Sequence, residues 1–359
     1  MNASAWKFLP VLVLATSGLT ACGGAGSPVA PGGPQTVPQS ASLERAHAPR
    51  VASCLTMTCL YVTNQPNNRH DPGAYAIAFA VNANGNVTPV QTIRGAKTDL
   101  SQPGGIAVDA GGNIYITNQP ARVIAFPPGA NGNVAPLRII EGPRTGLKFP
   151  TGIALDPGSN IYVTQFEGSS GPGSVQVYAA GANGNVAPLR TIKGGRAGLN
   201  FPIGITLDAS SNIYVASAGQ FGGVTVYAAG AHGDAKPLRE IRGDRTQLNN
   251  PIGIALDASG KLYVGNGQGD QVNVYAAGAN GNVAPIRVIA GLHTKLRLPL
   301  GVALDAGNNL YVVDSPQGSP GARTFVRVYA AGANGDVAPI RSIGGSNTEI
   351  EQPDGIAVH

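Results

Sequence analysis

The chain has 359 residues, of which 43% are hydrophobic and 12% are charged, and it contains 51 glycines and 28 prolines. This composition is enough for a packed core and favours many short strands joined by tight turns over helices. The net charge of +5 comes from Lys and Arg residues spread along the chain without a run of five, so the charge balance gives no support for a nucleic-acid partner.

The first 21 residues are predicted to be a targeting signal. Lys7 supplies a positive charge, and residues 8–19 form an apolar run that is too short to span a bilayer as a helix. The run ends in Leu19-Thr20-Ala21-Cys22, which resembles the lipobox of bacterial lipoproteins. The resemblance implies cleavage before Cys22 and acylation of that residue. The protein would then be lipid-anchored in the cell envelope, at the outer membrane or facing the periplasm in a Gram-negative cell, and at the cell surface in a Gram-positive one. The alternative is an ordinary signal peptide with an incidental cysteine.

Residues 22–53 are predicted to be a flexible tether, because Gly, Pro, Ser and Ala dominate this stretch and leave little to bury. Two further cysteines, Cys54 and Cys59, follow at the start of the folded part. An exported compartment permits a disulfide between them, which would close a small loop; two free buried thiols are the alternative.

A unit of about 50 residues then recurs to the end of the chain. Each copy holds four short runs, named a to d: Gly-Ile-Ala-Leu, Asn-Ile-Tyr-Val, Val-x-Val-Tyr and Val-Ala-Pro-Leu-Arg-x-Ile, or close variants. Asn-Gly between c and d tolerates the positive φ of a tight turn. Four antiparallel strands per unit, repeated radially, predict the blades of an all-β propeller. A Pro-x-Gly motif opens run a at Pro103, Pro150, Pro202, Pro251, Pro299 and Pro353.

These units resemble NHL repeats. The likeness rests on Pro-x-Gly-Ile-Ala-Leu-Asp followed by Asn-Ile-Tyr-Val and Val-x-Val-Tyr, and it covers residues 60–359. Gluconolactonase-like and virginiamycin-lyase-like propellers are close to the same pattern. The likeness implies a six-bladed propeller over residues 54–359. Because the repeats begin with a run b at residues 60–64 and end with a lone run a at residues 355–358, the last strand is expected to complete the first blade and close the ring.

The repeated residues are expected to be structural. The tyrosines of runs b and c are interpreted as inter-blade packing, and the Asp that ends run a as a cap of the a–b turn. Pro and Arg in run d are expected to block pairing at the outer edge and to form a solvated rim. The residues concerned are Asp109, Asp156, Asp208, Asp257 and Asp305; Pro89, Pro136, Pro188, Pro237, Pro285 and Pro339; and Arg138, Arg190, Arg239, Arg287 and Arg341.

The b–c loops vary most in length, which places specificity on the face that they share with the d–a loops, named here the loop face. Two sets of positions should meet there around the central axis. One lies inside each Pro-x-Gly: Gly104, Thr151, Ile203, Ile252, Leu300 and Asp354. The other ends each run b: Asn64, Asn118, Gln165, Ser217, Asn266 and Asp314. The amides and acids of these sets can bind a polar ligand, or alternatively the backbone of neighbouring loops. The candidate ligand-binding residues are Asn64, Asn118, Gln165, Asn266, Asp314 and Asp354.

A catalytic site is the second hypothesis. Gluconolactonase-like relatives place metal-binding Asn and Asp inside the Pro-x-Gly motifs, but here only Asp354 matches, and apolar residues that cannot ligate a hard cation occupy others. The remaining possibility is a divalent cation held by Asp314 and Asp354 near the junction of the sixth and first blades, with His70 as the base of a metal-assisted lyase or hydrolase.

The favoured prediction is a monomeric, membrane-anchored and exported binding scaffold. Its loop face would bind a protein, peptide or glycan, and lipid on Cys22 would anchor the chain in the membrane. This prediction follows from a rigid repeat scaffold with variable loops behind a targeting signal. A divalent cation is the one cofactor considered, under the catalytic hypothesis, and no nucleic-acid partner is predicted.

Overall fold

The computed structural model describes residues 54–65, 73–167, 172–218, 222–316 and 323–359, which belong to one compact unit, Arg50–His359. The predicted signal peptide and tether, including Cys22, lie outside the described residues, as does the candidate base His70. Within the described ranges, no helix has the length and apolar character needed to cross a membrane.

Short strands dominate the fold because β-branched and aromatic residues alternate with small ones and glycine-rich turns interrupt them every few residues. In chain order the strands are β1 (Cys59–Gln65), β2 (Tyr75–Ala80), β3 (Gln91–Arg94), β4 (Gln102–Val108), β5 (Ile114–Gln119), β6 (Arg122–Phe126), β7 (Arg138–Ile140), β8 (Phe149–Leu155), β9 (Ile161–Phe166), β10 (Ser174–Tyr178), β11 (Arg190–Ile192), β12 (Pro202–Leu207), β13 (Ile213–Ser217), β14 (Gly223–Tyr227), β15 (Arg239–Ile241), β16 (Pro251–Leu256), β17 (Leu262–Asn266), β18 (Gln271–Tyr275), β19 (Arg287–Ile289), β20 (Pro299–Leu304), β21 (Leu310–Asp314), β22 (Phe325–Tyr329), β23 (Arg341–Ile343) and β24 (Gln352–Val358). Single 3₁₀ turns lie at Ala96–Thr98, Pro143–Thr145, Asp244–Thr246 and Leu292–Thr294.

The strands form six antiparallel four-stranded sheets, which confirms the predicted six-bladed all-β propeller. Blade 1 has the order β24-β1-β2-β3, and blades 2 to 6 take β4–β7, β8–β11, β12–β15, β16–β19 and β20–β23 in turn. Each blade thus runs from strand a, against the axis, to strand d at the outside.

The last strand closes the ring, as the sequence predicts. β24 pairs with β1, and the backbones of Cys59 and His359 exchange two hydrogen bonds of 2.7 and 3.0 Å. Cys54 and Cys59 form a disulfide with a Cα–Cα distance of 5.5 Å at the start of β1. The first and last strands therefore hold each other without a covalent link across the seam.

The core lies between adjacent blades. Tyr115 of blade 2, for example, packs in one apolar cluster with Val163 and Tyr178 of blade 3. The strand c tyrosines also anchor loops, because the Tyr178 hydroxyl donates to the Thr145 carbonyl over 2.7 Å. These buried rings act as inter-blade packing, in line with the sequence prediction.

The glycine of each Pro-x-Gly lies where strand a of one blade meets strand a of the next. A Cβ on Gly152 would lie 2.2 Å from the Ile203 carbonyl oxygen, and one on Gly204 would lie 2.2 Å from the Ile252 carbonyl oxygen. Since both obstacles are backbone, no side chain fits, and the glycine lets the six inner strands approach closely.

The outer edge is arranged differently from the prediction. Only the end of run d is a strand, as Arg-x-Ile in blades 2 to 6 and as Gln91–Arg94 in blade 1. Pro136, for example, lies two residues before β7. The edge of each strand d is instead covered by the c–d connection of the next blade, since Gly132 pairs with Ile93 in a parallel bridge. Asn133 of the same connection accepts a 2.8 Å hydrogen bond from the Lys97 backbone. The neighbouring blade therefore protects the edge.

The arginines of strand d are not a solvated rim. In blade 2, half-buried Arg138 donates to the Tyr115 hydroxyl over 3.1 Å, and that hydroxyl donates to Asp109 over 3.1 Å. Asp109 also accepts from the backbones of Gly111 and Asn113, which confirms its role as a cap of the a–b turn. Equivalent Arg–Tyr–Asp chains recur in blades 3, 4 and 6. The repeated polar residues at this end of the blades therefore bind one another.

Candidate binding face

The loop face is built by the d–a loops and by the ends of the b–c loops. Residues 66–72, 168–171, 219–221 and 317–322 of the b–c loops lie outside the described residues. The d–a loops and the strand ends that surround the axis are described in full, so the predicted inner ring can be located.

The amide residues that end strand b are buried and bind neighbouring backbone, whereas the buried Ser217 hydroxyl has no hydrogen-bond partner among the described residues. Asn118 accepts hydrogen bonds from the backbones of Ser101 and Gln102 over 2.9 and 3.1 Å, and its amide donates to the Asp99 carbonyl. Gln165 and Asn266 likewise bind the d–a loop before their own blade. Of the two roles left open by the sequence, the geometry gives these amides the structural one.

Asn64 and Asp314 follow the same pattern. Asn64 accepts from the Glu351 backbone over 3.1 Å. One Asp314 oxygen accepts from the backbones of Arg297 and Leu298, and the other lies 3.6 Å from the buried Arg327 guanidinium. Both carboxylate oxygens of Asp314 are therefore directed at protein partners.

The Pro-x-Gly positions form the inner ring on the loop face, and this ring has two unlike halves. Asp354, Gly104 and Thr151 of blades 1 to 3 form a polar and small arc. The remaining positions, in blades 4 to 6, are aliphatic and belong to one apolar cluster: Ile203, Ile252 and Leu300. The ring therefore offers an acid on one side of the axis and an apolar surface on the other.

Asp354 is the charged member of this ring. Its carboxylate accepts a 3.2 Å hydrogen bond from Gln65, and the carboxylate lies 3.9 Å from the position that a Cβ on Gly104 would take. The residue is only partly exposed, and burial raises the pKa of Asp354 to about 6, although the Gln65 hydrogen bond acts to lower it. An acid with such a pKa exchanges its proton near neutral pH.

The donor set for a metal is limited in the described part of the chain. No group of three His, Cys, Asp or Glu side chains there has the arrangement to hold a metal ion. Asp354 offers one carboxylate with an amide beside it, which is fewer oxygen ligands than a hard cation takes. Asp71, the acid that follows the candidate base His70 in the sequence, lies outside the described residues, as His70 does.

Comparisons with known proteins bear on the fold alone. No protein-family model matches the chain, and no match was found among curated proteins. A crystal structure of a protein of unknown function from Bacteroides caccae aligns with a TM-score of 0.61 and 11% identity, over 84% of this chain and 99% of that chain. The WD40 repeats of RRP9 align with a TM-score of 0.48 and 12% identity, over 68% of this chain and 63% of that chain. The first supports the propeller fold; the second is too distant to add to it.

Two features of the loop face were not predicted. Between blades 3 and 4, Phe166 stacks on Phe149 with a centroid distance of 5.5 Å and lies 6.2 Å from Phe201, whose φ of 51° is unusual for a bulky residue. Glu167 beside them binds Lys193 and Lys148 over 2.7 and 3.4 Å. The sequence signal was the pair of Phe-Pro dipeptides at 149 and 201.

The other unpredicted feature is a pocket of about 390 Å³ between blades 1 and 2. Its lining includes Asp99, Ser101 and Arg122, and Arg122 is ion-paired with Asp99 over 3.2 Å. The sequence signal was the very short b–c loop of blade 2, which departs from its longer counterparts.

Proposed function

We propose that the chain is an exported, NHL-like propeller, lipid-anchored through Cys22, that works as a binding scaffold with its ligand on the loop face. The observation that carries this proposal is the contrast between the two ends of the blades. At the a–b end, repeated Asp, Tyr and Arg side chains bind one another. On the loop face, the Asp99–Arg122 pair lines an open pocket, and Asp354 places a carboxylate in the inner ring with Gln65 as its side-chain partner. Preformed concave surfaces with few polar groups are typical of ligand sites.

Backbone NMR of the full-length chain carrying Cys22→Ser tests the face. The chain is titrated with a set of short peptides and a set of oligosaccharides, and amide shifts are followed. Ligand-induced shifts are expected at loop-face amides such as Ser101 and Leu298, with the a–b turn amides of Gly111 and Ser259 as the matched controls. Shifts confined to the a–b turns would contradict the proposal.

Labelling with a clickable fatty acid tests the anchor. The wild-type chain, expressed in a bacterium, should incorporate the label, and Cys22→Ser should not. An unlabelled wild-type chain that is nevertheless exported would mean an ordinary signal peptide and would leave the scaffold proposal without its membrane anchor.

A second candidate function is general acid–base catalysis at the seam of blades 6 and 1, in a lyase or hydrolase. The observation that favours it is the pKa of Asp354 at about 6, which suits proton transfer near neutral pH. The His70 base and the divalent cation of the sequence hypothesis would belong to the same site. Turnover that is lost in Asp354→Asn, with an unchanged fold, would replace the scaffold proposal by this one.

A further inference from the structure

The pocket between blades 1 and 2 exists because the b–c loop of blade 2 is unusually short. Only Pro120 and Ala121 lie between β5 and β6, whereas ten residues separate β21 from β22 in blade 6. Among the described residues, the short loop leaves the start of strand c uncovered, and the adjoining d–a loop lines an open recess of about 390 Å³. This volume lies at the lower end of the range for small-molecule sites.

A pair of opposite charges forms the polar wall. The Arg122 guanidinium contacts Asp99 over 3.2 Å and Glu141 over 2.9 Å, so two carboxylates hold its plane. The Asp99 contact uses one oxygen, and 49% of this side chain is exposed. The wall therefore presents the second Asp99 oxygen, which has no partner among the described residues, next to a guanidinium whose charge is already compensated.

The backbone behind this wall is fixed by Asn118. This fully buried amide binds the backbone of Ser101 and the carbonyl of Asp99, and it also donates to the Ser101 hydroxyl over 3.1 Å. The Ser101 hydroxyl in turn donates to the Gln119 carbonyl over 2.8 Å. Because each member has a partner, the polar groups of the pocket are held in place before any ligand arrives.

A second part of the pocket is small and apolar. Ala74, Ala96, Leu100 and Pro120 line it. A pocket with one such part and one polar part suits a flat ligand that has C–H groups on its faces and hydroxyls at its edge.

The charge pair does not come from the repeat. The residues equivalent to Asp99 at the other blade junctions are Gly146, Gly198, Gln247, Lys295 and Glu349, and those equivalent to Arg122 are Tyr75, Ser174, Gly223, Gln271 and Phe325. No other junction combines an acid with an arginine at these positions. The recess is thus a local departure from an otherwise regular scaffold.

We propose that this pocket binds a neutral pyranose sugar, free or as a unit of a glycan, through the Asp99–Arg122 pair. Vicinal ring hydroxyls can donate to the Asp99 carboxylate and accept from Arg122, while the C–H face of the ring packs on Pro120 and Leu100. Two carboxylates against one guanidinium disfavour an anionic ligand, and the guanidinium disfavours a cationic one. The inference rests on the proposed function and names its ligand class.

Titration of the full-length chain carrying Cys22→Ser with the methyl glycosides of D-glucose, D-galactose, D-mannose and N-acetyl-D-glucosamine tests the proposal. Saturation-transfer NMR and calorimetry should detect at least one of the four with a millimolar Kd. Methyl D-glucuronide, which adds a carboxylate, should bind at least about tenfold more weakly than the glucoside.

Three variants locate the site. Asp99→Ala removes the acceptor, and Ala96→Trp fills the recess from an exposed turn position while both residues of the ion pair are kept. Each should weaken sugar binding at least about tenfold. Glu349→Ala is the matched control, because it removes an ion-paired acid from the equivalent position of another junction and should leave binding unchanged.

Two outcomes would overturn the inference: no Kd below about 50 mM for any of the four glycosides, or binding that survives both Asp99→Ala and Ala96→Trp in folded protein. If sugars fail while a peptide shifts loop-face amides, the sugar pocket is wrong and the scaffold function stands. If all shifts fall on the a–b turns, both are wrong.

Discussion

Replacing Asp354 by Asn should stabilise the protein at neutral pH and leave its stability unchanged in acid. Burial raises the pKa of this carboxyl from an ordinary value of 3.8 to about 6, so the folded state holds the proton more tightly than the unfolded state does. Unfolding therefore releases a proton between about pH 4 and pH 6, and stability falls as the pH rises through this window. Above it, the loss amounts to about 3 kcal/mol, from 1.36 kcal/mol for each unit of pKa.

The neutral variant avoids this loss. The side-chain amide introduced by Asp354→Asn keeps an oxygen that accepts from Gln65, so the fold changes little. The free energy of unfolding should exceed that of the wild type by up to about 3 kcal/mol at pH 7.5, and the two should converge near pH 4. Urea unfolding followed by circular dichroism and tyrosine fluorescence at four pH values measures this difference, and coincident transitions check two-state behaviour.

Asp109→Asn is a control of opposite sign. Burial acts to raise the pKa of Asp109, but hydrogen bonds from Asn113, Tyr115 and Gly111 outweigh it and lower the pKa below its ordinary value. Its charged form therefore stabilises the fold above the unfolded pKa, and the variant should be less stable at pH 7.5, with the difference shrinking as the pH falls. A gain in Asp354→Asn that is absent, or that does not vary with pH, would refute the assignment of a destabilising buried carboxylate at the axis.

Three further predictions concern the scaffold, and urea unfolding at pH 7.5 checks each. Gly204→Ala should lower the free energy of unfolding by several kcal/mol, because its Cβ would lie 2.2 Å from the Ile252 carbonyl oxygen. Gly230→Ala, with nothing within 4 Å of its Cβ, should change it little, and equal effects of the two would contradict the packing argument. Tyr214→Phe should lower the free energy of unfolding by about 1 kcal/mol, because the hydroxyl links Arg239 and an Asp of its blade. An unchanged free energy would mean that these Arg–Tyr–Asp hydrogen bonds add nothing to stability. Asn118→Ala should cost about 2 kcal/mol or more, because buried N–H groups of the d–a loop lose their acceptor, and full stability would show that water replaces it.

Most of the fold could be predicted from the repeats. Strands a, b and c are alternating or continuous runs of apolar residues that recur in every unit, and glycine or Asp ends them. Run d was predicted too long, since Val-Ala-Pro-Leu resembles a strand although proline cannot donate to a ladder. The chain at this point follows the edge of the preceding blade, where Gly132 meets Ile93. That contact joins residues of different blades, so no local sequence pattern predicts it.

The site could be predicted only in part. The ends of strand b were predicted to lie around the axis and to bind either a ligand or loop backbone, and their side chains bind d–a backbone about 17 residues earlier, as Asn118 binds Ser101. Whether an amide binds a loop or a ligand depends on how closely that loop approaches, which the repeat pattern does not encode. The pocket between blades 1 and 2 arises where Asp99 of the d–a loop meets Arg122 of strand c, beside the short b–c loop of blade 2.

The pocket and the Asp354 carboxylate, which both depart from the repeat, lie along one segment of chain. Ser101, which immediately precedes β4, lines the pocket. Gly104, three residues later and within β4, lies beside the Asp354 carboxylate. Three residues of a strand span about 10 Å, which is longer than one sugar ring. A glycan seated in the pocket can therefore reach the axis with its second or third unit and exchange hydrogen bonds with Asp354. Asp354→Ala should then weaken the binding of a trisaccharide but not of its monosaccharide, and calorimetry of both ligands distinguishes a continuous groove from two separate features: an equal effect on the two would exclude the groove.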